Sequence, residues 1–444
     1  MSHYKPYPAY KDSGVEWIGQ VPESWERRKI AHAFEFVGSG TTPPTDQQVW
    51  YSDTGIPWIT TGELRESVII KTSKYVTTKA LEAFSTLRLY PVGSLAIAMY
   101  GATIGRLGIL GTPATTNQAC CVLSGEVSLR IRFVYYWLLA FKQPIIELFA
   151  AGGGQPNINQ EVIASLRVPA PNLAEQIAIA TALDRETTRI DALIAKKTRF
   201  IELLKEKRSA LITHAVTKGL DPTVKMKNSG VEWIGEVPEH WDVRRVKHLY
   251  SARLGKMIQP QPKSDEDVLV PYHRAQTVQW ERVEYDQVES MWASPAEVVA
   301  YSLEEGDLLI CEGGDVCRAA IFNQVERERV IFQNSIHRVR PLDGNQPEWL
   351  LRLMQLVRSS GWIDVLCNKN TIVHFTSDKL ASLECPHPPP FAQVAILCSL
   401  RRETVHIDAL IAKVQRSIDL LKERRSAFIT AAVTGQIDLQ GEIA

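Results

Sequence analysis

The sequence predicts an α/β (α+β) fold: two mixed domains in tandem, joined by two long α-helices that pair as an intramolecular antiparallel coiled coil with pseudo-twofold symmetry. Three observations carry this prediction. Residues 175–217 return as residues 392–434 at a constant offset of 217, down to the shared Asp-Ala-Leu-Ile-Ala that starts at Asp191 and again at Asp408. A shorter stretch, KDSGVEWIGQVPESWERRKI at 11–30, returns as KNSGVEWIGEVPEHWDVRRV at 227–246. The blocks between them, 31–172 and 247–389, match in length but hardly in sequence. Repeats on this scale fix an architecture before any single element is assigned.

Taken in order, each half begins with the short tag. Trp17 and Trp25 flank a Val-Pro turn there, as Trp233 and Trp241 do in the second copy. Packing is the ordinary use of such tryptophans, and stacking on a ligand stays open beside it. Apolar runs broken by glycine at 57–62 and 92–110 read as short strands, with counterparts at 271–275 and 305–322. An amide pair follows in each block, Asn117-Gln118 and Gln333-Asn334. Next come a helix at 130–149 or 347–366, a polar loop at 152–159 or 368–371, and a strand-like segment with prolines at 166–171 or 383–388.

The repeated stretch closes each half as a long helix. Leu183, Ile190, Leu204 and Leu211 hold one heptad position, while Ile194, Ile201 and Ala215 hold another. Leu400, Ile407, Val414, Leu421 and Phe428 repeat the first, and Ile411, Ile418 and Ala432 the second. Polar entries interrupt the seam at Thr187, Lys197 and Arg208, and again at Thr404 and Arg425. Two such positions per seven residues, without Pro or Gly, describe a coiled coil. A helix of this length reaches roughly 65 Å, so its apolar stripe needs a partner, and the second copy is at hand. The segments are therefore 1–172, 173–218, 219–389 and 390–444. The link at 218–226 puts the first long helix beside the second tag, and the symmetry then predicts that the first tag packs beside Val433, with the chain ends close together.

Lys plus Arg number 50 against 50 Asp plus Glu, so net charge points to no partner. Its distribution says more: between Leu193 and Lys218 seven basic residues face only Glu202 and Glu206. That basic half suits a helix C-terminus, a DNA backbone or a partner subunit. Seven cysteines lie outside any CxxC or Cys/His spacing, which fits a reduced protein with no metal ligands. The N-terminal residues lack an apolar core for a signal peptide and no run approaches a membrane span, so the cytoplasm is the expected compartment and no membrane the expected partner.

Catalytic signatures are missing. There is no GxxxxGK[ST], no GxGxxG after a strand, no HExxH, no GxSxG and no Asp/Asn-Pro-Pro-Tyr/Phe. The turns at Gly101-Ala-Thr-Ile-Gly105 and Gly152-Gly-Gly154 have backbone N–H groups for a phosphate, or simply satisfy chain geometry. Two equivalent domains on a rigid rod suit an extended partner read at two places, and double-stranded DNA is such a partner. Amides bond adenine edges and Arg bonds guanine. Candidate contact residues are Thr60, Thr61, Tyr100, Thr103, Arg106, Asn117, Gln118, Gln155, Asn157 and Asn159 in the first block. In the second they are Arg274, Gln276, Arg318, Gln333, Asn334, Lys369 and Asn370.

The twice-used GVEWIGxVPExW tag, the strand Gly306-Asp-Leu-Leu309 followed by a Gly turn and a Gln-Asn pair, and the helix opened by prolines and Glu175-Gln176-x-x-Ile179-type residues resemble the specificity subunit of type I restriction-modification enzymes. The resemblance spans essentially the whole chain. It implies two target-recognition domains, each reading one part of a bipartite asymmetric site. The helices would be a ruler that docks two methyltransferase subunits, with restriction subunits joining. It implies no cofactor in this chain, with S-adenosylmethionine, ATP and Mg belonging to partner subunits. Two positions depart from the pattern: Gly93-Ser-Leu-Ala96 lacks the acidic residue of the second block, and the second long helix opens Ala392-Gln393. Alternatives are a DNA-recognition protein assembled with another nuclease system, a coiled-coil protein scaffold, and a self-contained methyltransferase or nuclease.

Overall fold

A computed structural model describes residues 5–150, 157–323, 329–367 and 374–439. Four helices organise it: α1 (Ile131–Phe149), α2 (Leu173–Lys218), α3 (Pro347–Ser359) and α4 (Pro390–Val433). The chain forms two compact units, Met1–Lys197 with Arg416–Ala444, and Thr198–Gln415. Each unit thus holds one block together with part of both long helices.

In the first unit the core sheet has the order Phe34–Ser39, Cys120–Glu126, Leu95–Ala98, Leu107–Leu110 and Ser67–Ile69, the last joined in parallel. All four residues of Leu95–Ala98 are buried, as expected of a strand covered on both faces. Helix α1 lies on one side with Phe133, Val134, Trp137 and Leu138 buried, and the other side packs Ile59, Leu64, Tyr90 and Leu110. A smaller sheet pairs Thr115–Thr116 in parallel with Ile56–Ile59. The second unit repeats the plan with Tyr250–Leu254, Ile336–Pro341, Leu308–Cys311 and Ala319–Ile321 in its core sheet, and Ile331–Phe332 parallel to Val268–His273 in the smaller one. The helix expected over 347–366 is broken at Gly361, whose φ of 74° lies in the left-handed region, before a short helix Trp362–Leu366.

The two long helices are continuous over 46 and 44 residues, and none of the fifteen seam residues named from the sequence is exposed. Leu183, Ile190, Ile201, Leu204, Leu400, Ile407, Ile418 and Phe428 are buried, while Ile194, Leu211, Ile411 and Leu421 are half-buried. Their pairing is antiparallel within each unit: Arg425 meets Asp191 in the first, and Arg208 meets Asp408 in the second. The first tag lies against the end of α4 as the symmetry predicts. Gln436 Nε2 donates to Gln20 O at 3.1 Å, and just ahead of the tag Tyr10 Oη donates to Gly435 O at 3.0 Å while the backbone of Lys5 pairs with that of Asp438. The tag tryptophans are packing residues: Trp25 is buried against Phe133, Trp241 against Trp349, and Trp17 meets Trp137 and Phe141.

Candidate nucleic-acid interface

In both units the paired parallel strands run off the small sheet at the same end, and the candidate residues collect there. In the first unit Thr60 opens the turn Thr61–Glu63, its N–H held by Glu63 Oε2 at 3.1 Å. Asn117 N–H donates to Ile59 O at 3.0 Å, which sets Asn117 and exposed Gln118 beside that turn. Tyr100 Oη donates to Gln118 O at 2.9 Å, and Tyr100 pairs with Asn157 through a backbone bridge. Thr103 lies in the turn Gly101–Thr103, with Oγ1 3.4 Å from Tyr100 O, and half-buried Arg106 returns the chain to the core sheet. Gly101 and Gly105 have φ of 74° and 71°, so backbone geometry accounts for them without a phosphate. Asn159 is a structural residue, since its Oδ1 accepts from Val162 N–H at 2.8 Å as a helix N-cap. Gln155 lies outside the described residues.

The second unit builds the same end differently. Gln333 N–H donates to His273 O at 2.9 Å, the counterpart of the Asn117 bond, and Gln333 Oε1 accepts from Ser335 Oγ at 3.0 Å. Asn334 N–H donates to Lys256 O. Arg274 pairs with Glu289 at 2.7 Å. Arg318, mostly buried, donates from Nη2 to Ala275 O at 2.7 Å. These two arginines brace the turn Ala275–Thr277, which leaves exposed Gln276 as its freest amide. Lys369 and Asn370 lie outside the described residues. Behind the turn, His273 is fully buried with Nδ1 on Thr277 Oγ1 at 2.9 Å, and burial pushes its imidazole down to about 4.

Two glycines missed from the sequence set how close these loops come. A side chain at Gly40 would collide with the Thr116 carbonyl, and one at Gly255 with the Gln333 carbonyl. The signal was their near-equal place in the two halves. Among the described residues no group of His, Cys, Asp and Glu is arranged to hold a metal ion, and no helix is long and apolar enough to cross a membrane.

The repeated plan, with its two divergent ends, has relatives. Residues 22–203 match the type I restriction modification DNA specificity domain. The chain is similar to type I specificity subunits. It is 28% identical to the specificity subunit of MjaIX from Methanocaldococcus jannaschii over 267 residues, 58% of this chain and 59% of that one. Against the EcoKI specificity subunit of Escherichia coli K12 identity is 22% over 352 residues, 75% and 71% of the two chains. The chain spans about half the length of other curated relatives it matches, such as 52% of the MjaVIII subunit. A solved chain of a type I R-M system, studied for complex assembly and conformational transition, superposes with a TM-score of 0.73 at 14% identity, covering 94% of this chain and 99% of the other. The HsdS subunit from Thermoanaerobacter tengcongensis gives 0.52, also at 14%, over 94% and 98%. These two establish the shared fold.

The frame that presents the two ends is the most uniform part of the chain. Gln176 and Gln393, both fully buried, do the same work: Oε1 accepts from Arg130 N–H at 2.8 Å or Gln346 N–H at 3.0 Å, and Nε2 donates to Pro171 O or Pro388 O. The departures seen in sequence are local substitutions. Asp307, buried, pairs with Arg340, while its counterpart Ser94 donates to Ser124 Oγ at 3.2 Å. Glu175 accepts from Tyr7 Oη and Trp25 Nε1, bonds that Ala392 cannot make.

Proposed function

We propose that this chain is the sequence-reading, non-catalytic subunit of a type I restriction-modification enzyme: it recognises a bipartite, asymmetric DNA site and brings methyltransferase and restriction subunits to it. The single observation that carries this is the contrast inside the repeat. Tags, long helices and buried Gln176 and Gln393 are held in common, while the loop ends differ: Thr60, Asn117 and Gln118 in one unit, Arg274, Gln276 and Gln333 in the other. Two unlike ends on one frame read two unlike half-sites. Exposed Gln118, Asn157 and Gln276 are the leading base-contact residues, since an amide free of internal bonds keeps both its donor and acceptor for a base edge. S-adenosylmethionine, ATP and Mg act in the partner subunits. The test is electrophoretic shift on DNA with and without a cognate methyltransferase subunit. Tight sequence-selective binding in the mixture supports the reading; methylation or cleavage by this chain alone overturns it.

A further inference from the structure

The two units share the glutamine clamp between block and long helix, but one ion pair beside it is reversed in sign. The Gln176 and Gln393 clamps register α1 against α3, so Arg132 and Glu348 occupy the same place, as do Asp184 on α2 and Arg401 on α4. In the first unit the block supplies the cation: Arg132 Nη1 lies 3.4 Å from Asp184 Oδ1, and Tyr136 Oη donates to the same oxygen at 2.7 Å. In the second the block supplies the anion: Arg401 Nε donates to Glu348 Oε2 at 2.6 Å. Glu348 is nearly buried and also receives Arg352 at 2.8 Å, which in turn holds Glu281 at 2.9 Å. The neighbouring contacts keep their sign, with Arg425 on Asp191 and Arg208 on Asp408. Both pairs join helix to helix, and Arg208 also reaches Glu281 of the second block at 2.7 Å.

We propose that Arg132, Asp184, Glu348 and Arg401 form an addressing key that seats each block on its own long helix and rejects it from the twin. The repeated tags and clamps offer each block two nearly identical platforms. A block seated on the wrong one would place Arg132 against Arg401, or Glu348 against Asp184. Arg352 does not relieve the second clash, because its guanidinium is already committed to Glu348 and Glu281. Like charges on a partly desolvated surface disfavour the wrong partner more than the correct pair favours the right one. The key fixes which end stands where in the chain, and it does not depend on what those ends bind.

The experiment uses four full-length chains: blocks 31–172 and 247–389 in natural or exchanged order, each with natural helix charges or with Asp184→Arg plus Arg401→Asp. Thermal unfolding is the readout. The helix substitutions lower the Tm by a few degrees in the natural order and raise it in the exchanged order. A shift of the same sign in both orders, or none in either, overturns the key. If neither exchanged chain folds, a cycle in the natural order decides: Arg132→Asp lowers the Tm and adding Asp184→Arg restores it, whereas failure to restore rejects the proposal.

Discussion

Arg208 Nε lies 3.0 Å from Asp408 Oδ1, joining the two long helices within the second unit, and its Nη2 reaches Glu281 Oε1 at 2.7 Å. A polar residue in an apolar seam fixes the register in which two helices meet, because only one alignment satisfies it. Arg425 and Asp191 make the corresponding pair in the first unit, Nε to Oδ1 again at 3.0 Å.

Arg208→Met should therefore cost more than Asp408→Asn. Asp408 is half exposed, so its loss is worth at most about 1 kcal/mol. Arg208 is mostly buried and its removal leaves Glu281 with fewer donors, a cost of about 1–3 kcal/mol. Urea unfolding of the two variants gives the order, and equal midpoints would contradict it.

Charging the seam should destabilise both long helices. Leu204→Asp puts a carboxylate at a buried position and costs several kcal/mol, on the order of 3–5, while Leu421→Asp at a half-buried one costs less. Under the proposed function, the double variant loses both half-sites together. Loss of one alone would show that the helices are not a shared frame.

Base contacts and structural contacts separate by stability. Gln118→Ala removes an exposed amide and should leave the Tm unchanged while weakening discrimination at one base pair by about 1–3 kcal/mol. Asn159→Ala removes a helix cap and should cost about 1 kcal/mol of stability with the site preference intact. The paired Gln333→Ala and Asn334→Ala change relaxes only the second half-site. Unfolding midpoints and competition binding on variant DNA duplexes distinguish the cases.

Acid should weaken the second unit through His273. Its native value of about 4 lies below the ordinary 6.5, so the unfolded chain takes up a proton that the native state refuses. The stabilisation is full above pH 6.5 and is lost as pH falls toward 4. Glu281 adds to this lower down: burial opposes its charge, but Arg352 and Arg208 hold it below the ordinary 4.5, so its contribution fades as pH drops through that lower native value. His273→Phe should flatten the dependence of Tm on pH between 6.5 and 4; an unchanged slope would remove His273 from the account.

What sequence could reveal follows from separation along the chain. The long helices, the tags and the order of elements in each block were legible because the chain writes them twice, and a 3.6-residue period survives in any context. The amide pairs Asn117-Gln118 and Gln333-Asn334 were legible for the same reason. Arg274 and Arg318 were not: Arg318 is spent on the Ala275 carbonyl, 43 positions away, and no local pattern announces that. Asn159 was misleading in a different way, since an Asn before Gln160 and Glu161 is an ordinary helix start and its side chain is used there. Left-handed Glu66 and Glu281, at φ 53° and 63°, stand at matching places in blocks with no visible identity, so the backbone kept a shape that the residues around it did not record.

Each long helix ends on a left-handed glycine docked on the Pro and Trp of a tag: Gly219 beside Pro238 and Trp241, Gly435 beside Pro22 and Trp25. One of these joints has a peptide connection of a few residues between its parts, and the other brings together residues more than 400 positions apart in the chain. The second holds by contact alone. The link at 220–225 is thus a convenience of synthesis, and a single proteolytic nick within 221–224 should leave its joint closed and the nicked halves migrating as one species.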